Sequence, residues 1–135
     1  MSLSPAEQQA NHWIEMTRMP VEECSDELFD AGFALNILAH DDPELAWNVI
    51  LEIVDILDEK DLVSGEGDAQ KLASNLAAGP LESLLTQHGE VFIDRLEQKA
   101  KADSRFGLVL GGVWQNAMPD TVWKSVRNLA DNRLR

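Results

Sequence analysis

Cysteine is almost absent from this sequence: Cys24 is its one thiol among 135 residues. A chain with one cysteine forms no internal disulfide bond and no zinc site made of several thiolates. Long hydrophobic runs are also absent, because charged residues interrupt each apolar stretch well short of the ~18 residues that a membrane-spanning helix needs. The first residues lack the basic and apolar regions of a secretory signal. We therefore expect a cytoplasmic protein that has no membrane partner.

Basic residues are scarce as well. The chain has 11 Lys and Arg against 24 Asp and Glu, which gives a formal net charge of −13 and a sequence pI near 4.4. Such a surface repels the phosphates of nucleic acids and of anionic membranes, so we expect no nucleic-acid partner. The charge favours a basic protein as the partner, although acidity that serves solubility alone gives the same composition.

The acidic excess is unevenly placed along the chain. Residues 1–68 hold 17 of the acidic and 2 of the basic side chains, whereas residues 69–135 hold 7 and 9. If the two halves pack face to face, part of the excess is neutralised internally by the later bases Lys99, Lys101, Arg105, Arg127 and Arg133. Nine bases cannot neutralise 24 acids, so a negative surface remains for a partner.

Catalytic and metal-binding motifs are missing too. The three histidines, at 12, 40 and 88, are far apart and form no HExxH pattern. The acidic stretch 58–68 lacks the order of ligands and the final glutamate of a calcium-binding loop. No glycine-rich segment has the form of a phosphate-binding loop, and no nucleophile signature is present. We expect a protein that is not an enzyme and that binds no metal or cofactor.

Helix-start signals are prominent in the first half. Ser4-Pro5-Ala6-Glu7 has the form of a capping box with proline at the first helical position, and Ser25 and Asp42-Pro43 give similar starts. In the second helix we expect a buried stripe of Leu28, Phe29, Gly32, Phe33, Leu35 or Asn36, and Ile37. In the third, apolar residues recur at amphipathic spacing through Leu45, Ala46, Val49, Ile50, Ile53, Val54 and Leu57.

The second half begins after residues 58–68, which predict an acidic loop. We expect a helix over 69–78 closed by Gly79, a second from Pro80 closed or bent at Gly89, and a third over 90–102. A short turn through 106–110 and a last helix from Pro119 follow. No segment alternates with a period of two. The sequence predicts one all-α domain over 1–135, either a compact bundle of seven or eight short helices or HEAT-like stacked helix pairs.

Trp47 is the candidate anchor of a binding surface. Tryptophan on a helix is usually a core residue, but Trp47 follows three acidic residues and is predicted to lie off the main apolar stripe of its helix. An exposed aromatic residue flanked by acids is typical of an interface anchor. The predicted partner-binding residues are Asp41, Asp42, Glu44, Trp47, Asp55, Asp58, Glu59 and Asp61.

The segment from Leu76 to Trp114, LAAGPLESLLTQHGEVFIDRLEQKAKADSRFGLVLGGVW, resembles an uncharacterised family of small bacterial proteins classed as a domain of unknown function. The resemblance is carried by Gly79-Pro80-Leu81-Glu82, by Phe92-Ile93-Asp94-Arg95 and by Gly111-Gly112-Val113-Trp114. Ser104 stands where the family usually has proline. The resemblance implies a helical fold and supplies no activity.

Polar residues within this segment permit two interpretations. In the first, Glu82, Asp94 and Arg95 form a partly buried ion network, with Gly79 and Gly89 adopting positive φ at helix ends and Gly111-Gly112 seating the indole of Trp114. In the second, a polar pocket is lined by Glu82, His88, Asp94, Arg95 and Trp114.

Three functions follow in order of preference. The first is an acidic protein-binding module, in its most concrete form an immunity protein or antitoxin-like inhibitor that neutralises a basic toxin or nuclease. The second is a small-ligand or enzymatic domain with its pocket in 79–114. The third is a scaffold or adaptor. We expect a monomer or a small homo-oligomer.

Overall fold

Eight α-helices make up most of the chain in the computed structural model, which describes residues 2–65 and 67–130. They are α1 (Pro5–Arg18), α2 (Asp26–Asp41), α3 (Pro43–Asp55), α4 (Glu59–Ser64), α5 (Ala69–Leu76), α6 (Glu82–Ala102), α7 (Ser104–Leu110) and α8 (Asp120–Leu129). A 3₁₀ turn spans Val21–Glu23, and a π-helical turn spans Ala77–Leu81. The described residues contain no strand, and the predicted all-α class is confirmed.

The helix starts predicted in the first half are confirmed by their capping contacts. Ser4 Oγ accepts a hydrogen bond from the backbone N–H of Glu7 at 3.1 Å, and the Glu7 carboxylate accepts one from the N–H of Ser4 at 3.2 Å. Ser25 Oγ caps α2 by accepting from the N–H of Leu28 at 3.1 Å. Each such cap stabilises its helix by about 1 kcal/mol.

The predicted loop over 58–68 was wrong in its first part, which forms α4. Asp58 caps this short helix by accepting from the backbone N–H groups of Lys60 and Asp61. Gly65, with φ of 75°, ends it in the left-handed conformation. Leu62 anchors α4 because its side chain is buried in the core. One buried residue in a six-residue helix gives no periodic signal, so the pattern predicted a loop.

The helix ends predicted at Gly79 and Gly89 were also wrong. The chain runs from α5 through the π-helical turn into α6, and that turn contains both Gly79 and Pro80. Gly89 lies inside α6, where an added Cβ would stand 2.6 Å from Val122 Cγ1 of α8. The residue therefore permits the close approach of two helices rather than a positive φ.

The core draws on both halves of the chain, and Trp47 belongs to it. Trp47 is 6% exposed, and its ring lies 5.4 Å from that of Phe92 and 5.6 Å from that of Phe106, measured between centroids. The expectation of an exposed anchor at Trp47 was thus wrong. Trp114, by contrast, is 64% exposed, and Gly112 instead permits close packing against Ala77.

Candidate functional site

An ion pair between Glu44 and Arg95 joins α3 to α6. The two guanidinium nitrogens of Arg95 donate to the two carboxylate oxygens of Glu44 at 2.6 and 2.9 Å. These hydrogen bonds lower the pKa of Glu44 and raise that of Arg95. The Arg95 guanidinium also lies 4.6 Å from the ring centroid of Phe92, so its position is fixed from two sides.

A second group of charges surrounds Arg105 at the start of α7. Its guanidinium donates to Asp103 at 2.9 Å and to the backbone oxygens of Asp55 and Leu57 at 2.9 and 3.2 Å. Burial acts to raise the pKa of Asp103, but the hydrogen bonds from Arg105 and the charges of Arg105 and Lys99 outweigh burial and lower it. Arg105 thereby ties the end of α3 to α7.

Most of the residues predicted for partner binding have structural contacts. Asp42 caps α3 and Asp58 caps α4. Asp41 lies 2.8 Å from the ring nitrogen of His40, and Glu59 accepts a hydrogen bond from Ser104 at 2.8 Å. Glu44 pairs with Arg95, and the backbone oxygen of Asp55 accepts from Arg105, as described above. Trp47 is buried, and Asp61 is exposed on α4. Internal pairing with the later bases is confirmed for Lys99 and Arg105, and Arg133 lies outside the described residues.

The predicted network or pocket in 79–114 is divided among separate contacts. Glu82 accepts from Asn116 at 2.7 Å, His88 Nε2 lies 2.7 Å from the backbone oxygen of His40, and Arg95 pairs with Glu44. Asp94 is exposed on α6, and Trp114 is also exposed, at the end of the segment. A polar hollow of about 300 Å³ includes Glu82 but is not lined by the other four residues. The ion network between Glu82, Asp94 and Arg95 was therefore wrong as a single structural unit.

The largest exposed apolar feature of α2 was missed by sequence reasoning. Phe29, Phe33 and Ile37, spaced by four residues, are 51%, 41% and 54% exposed, and the two phenyl rings stack with centroids 5.5 Å apart. The expected buried stripe was wrong at these three positions. The buried residues of α2 are Gly32, Leu35 and Ala39 on its other side.

Gly32 permits close packing on the buried side of α2. An added Cβ at Gly32 would stand 2.6 Å from Met16 Cβ, so α1 packs closely against α2 at this point. Gln9 of α1 strengthens the contact by donating to the backbone oxygen of Ala31 at 2.8 Å. Apolar residues lie on both sides of α2, and the side that contains Gly32 packs on α1.

Carboxylates accompany the exposed apolar residues. Asp26, Asp30 and Asp41 are exposed on α2, and at 3.6 residues per turn they fall on the same side of the helix as the apolar three. The helix contains no lysine or arginine. We call this surface the α2 face; it consists of Asp26, Phe29, Asp30, Phe33, Ile37, His40 and Asp41.

A cleft of about 640 Å³ adjoins the α2 face, between α1, the 3₁₀ turn, α2, α5 and the π-helical turn. Phe29 and Asp26 line it, and so belong to both surfaces. The rest of the apolar lining includes Trp13, Met16, Met19, Pro20, Val21 and Pro80. Cys24, Asn36 and Lys71 are among its polar residues. We call this space the α2 cleft.

The described residues contain no metal-binding cluster and no membrane-spanning helix. Over 2–65 and 67–130, no group of three or more His, Cys, Asp or Glu side chains is placed to hold a metal ion. Over the same ranges, no helix combines the length and the apolar character that crossing a membrane requires.

These helices and surfaces define an all-α protein with an apolar, acid-flanked helix face. The chain belongs to a family of unknown function (DUF6869), whose model matches residues 20–134. No curated protein and no solved structure matches the chain. The family match extends well beyond the segment Leu76–Trp114 in which the sequence shows its resemblance, but it leaves out α1.

Proposed function

We propose that this protein is an acidic protein-binding module that docks a basic protein on its α2 face. The observation that carries the proposal is the stacked pair Phe29 and Phe33, exposed together with Ile37 beside three aspartates. Aromatic residues that become buried at the centre of an interface contribute most of its binding free energy. An exposed apolar cluster of this kind lowers solubility and is typical of an interaction site. A surface that had only to keep the protein soluble would not need this cluster.

Charge determines the chemistry of the proposed partner. The α2 face has three carboxylates and no lysine or arginine, on a chain whose formal net charge is −13. A basic partner is attracted to this surface over long distances, which raises its association rate. A second copy of the same chain would bring aspartates against aspartates, and like charges in contact oppose binding. The charge therefore favours a different, basic protein over a homodimer formed through this face.

An immunity protein or antitoxin-like inhibitor is the most concrete form of this proposal. In that form, the module covers the basic surface of a toxin or nuclease and so blocks its activity. The support is the combination of negative charge, which suits a cationic active-site surface, with an apolar anchor that holds the partner after encounter. A scaffold or adaptor would use the same face but would leave its partner active, so an activity assay of the bound partner separates the two.

Affinity capture from the source cells tests the docking face directly. The wild-type chain is compared with Phe29→Ser/Phe33→Ser and with the matched control Ile56→Ser/Val91→Ser, which removes two exposed apolar side chains outside the face. We expect a basic protein that the wild type and the control retain and that the α2 variant loses. The purified pair must then bind, with an affinity that falls as salt is raised.

Two results would contradict the proposal. One is a captured set of proteins that is the same for the wild type and for the α2 variant. The other is a purified candidate that binds with no dependence on salt, or that is itself acidic. Capture by the wild type alone supports nothing, because any exposed apolar surface retains some proteins from a lysate.

A further inference from the structure

We infer that the α2 cleft receives one aromatic side chain of the partner, and that basic residues beside that side chain meet Asp26 and its acidic neighbours. The inference rests on the proposed function, since it assigns the cleft to the same partner as the α2 face. It adds a recognition element that the family match does not imply, because part of the cleft is made by α1, which lies outside residues 20–134.

The size and lining of the cleft suit a flat apolar ring. Its volume of about 640 Å³ lies within the usual range for binding pockets and exceeds that of one aromatic side chain. Phe29 supplies an exposed aromatic ring, Trp13 adds only the small part of its indole that is not buried, and Met16 and Met19 supply flexible thioethers that adapt to the shape of a guest. The cleft is also continuous with the α2 face through Phe29, so one partner segment can contact both.

A close helix contact and the π-helical turn form two walls of the cleft. On one side, Gly32 brings α2 against Met16 of α1. On the other, the π-helical turn places Gly79 and Pro80 on the lining, and a Cβ at Gly79 would stand 3.5 Å from Asn36 Oδ1. That oxygen is buried and has no hydrogen-bond donor within the described residues. Interruptions of this kind in a long helix often accompany binding sites, and proline inside a helix carries a cost in stability.

The charge around the mouth of the cleft favours basic neighbours for the aromatic ring. Asp26 lines the cleft, and Glu22 and Glu23 are exposed on the 3₁₀ turn beside it. Lys71 is the one basic residue on the lining. The mouth is therefore negative in sum, and a lysine or arginine next to the inserted ring would meet a carboxylate.

Cys24 provides a direct measurement of occupancy, because it lines the cleft and is the only thiol of the chain. Its alkylation by N-ethylmaleimide, an uncharged reagent, is followed with the full chain in the presence of short capped peptides. The peptides are Lys-Trp-Lys, Lys-Ala-Lys and Glu-Trp-Glu. If a bound ring shields the thiol, the rate falls by the factor 1 + [peptide]/Kd, which is about fivefold at four times Kd.

We expect Lys-Trp-Lys to slow the alkylation of Cys24 in a saturable way and the other two peptides to have little effect. Equal protection by Lys-Ala-Lys would overturn the inference, because charge alone would then explain it. Equal protection by Glu-Trp-Glu would overturn the basic part of the recognition. No protection by any peptide up to millimolar concentration would overturn the inference as a whole.

A filled cleft supplies the control on location. Ala78 is exposed on the π-helical turn and lines the cleft, so Ala78→Trp fills it from the rim; Ala102→Trp adds the same side chain at an exposed position at the end of α6. We expect Ala78→Trp to abolish the protection by Lys-Trp-Lys and Ala102→Trp to retain it. If Ala78→Trp does not fold, Val21→Trp, at a highly exposed cleft residue, replaces it. Protection that survives a filled cleft would overturn the inference.

This inference and the proposed function fail in different experiments. Suppose that Phe29→Ser/Phe33→Ser loses the captured protein and that no peptide protects Cys24. The α2 face then remains the docking surface, and the cleft takes no part in binding. Unchanged capture by that variant removes the docking function, and with it the assignment of the cleft to the partner, whatever the peptides do.

Discussion

Glu44 and Arg95 hold α3 and α6 together through two hydrogen bonds of 2.6 and 2.9 Å, although they stand 51 residues apart in the sequence. The pair lowers the pKa of Glu44 below its ordinary value of 4.5. A carboxyl group whose pKa is lowered by folding stabilises the folded state above its ordinary pKa, and this contribution is lost as the pH falls through the lowered value. The pair therefore contributes to stability at neutral pH and not in acid.

Replacing Glu44 by glutamine should remove this pH-dependent contribution. We expect Glu44→Gln to lower the free energy of unfolding near neutral pH and to have less effect at an acidic pH below the lowered pKa of the Glu44 carboxyl, where the wild-type group is protonated as well. Urea unfolding at the two pH values measures the difference. Glu52→Gln, at an exposed position of the same helix, is the control, and an equal pH dependence in that variant would contradict the role of Arg95.

Trp47 and Trp114 should differ strongly in their effect on stability, because the first is buried and the second is mostly exposed. Trp47→Ala removes a ring packed against Phe92 and Phe106, and we expect it to lower the free energy of unfolding by about 3–5 kcal/mol. Trp114→Ala removes a mostly exposed side chain and should cost about 1 kcal/mol or less. Chemical denaturation measures both, and Trp47→Phe serves if the alanine variant does not fold. Similar costs at the two positions would contradict the described core.

Loss of the stacked phenyl rings should weaken the proposed complex without unfolding the module. Each ring that acts as an interface anchor is worth about 2 kcal/mol, so Phe33→Ser alone should raise Kd by about 30-fold. Calorimetric titration with the captured partner measures the change, and urea unfolding checks that stability moves by about 1 kcal/mol or less. Val91→Ser, on α6, should leave Kd unchanged. An equal rise of Kd in both variants would indicate a nonspecific apolar effect.

The carboxylates of the α2 face should act on the rate of association. We expect Asp26→Asn/Asp30→Asn to lower the association rate constant several-fold at low ionic strength, with a smaller effect on dissociation, because long-range attraction acts before contact. Stopped-flow mixing at several salt concentrations measures this. Glu52→Gln/Asp94→Asn removes the same charge from exposed positions elsewhere. If that control slows association as much, net charge rather than the α2 face directs the encounter.

Local signals in the sequence carried most of the information about the fold. The capping box at Ser4 and Glu7 predicts the start of α1 because all of its hydrogen bonds lie within four residues. Gly79 and Pro80 predict the end of one helix and the start of the next, but the chain passes through them in a π-helical turn. Which of the two forms depends on what packs beside the helix. Gly89 is similar, because a side chain at this position would collide with Val122, 33 positions away in the sequence.

The candidate site was harder to predict because exposure is a property of the whole fold. Phe29 and Phe33 have the spacing of a buried stripe, but α2 packs on α1 through Gly32 and leaves both rings exposed. Trp47 has acidic neighbours in the sequence, but two of them, Asp42 and Glu44, have tasks within the fold. A signal was present in α2, where apolar residues occur on two sides of the helix, yet the sequence does not say which side meets a neighbour.

Helix α1 lies outside the family match, but it packs at Gly32 and supplies Trp13 and Met16 to the cleft. The aspartates of the α2 face, in contrast, lie within the matched residues. In the proposed complex, α2 therefore supplies all the aspartates of the docking face, whereas α1 supplies part of the cleft wall. A change confined to α1 would then reshape part of the cleft while the three aspartates of the α2 face stay in place, so the two contributions to the proposed binding can be altered one at a time.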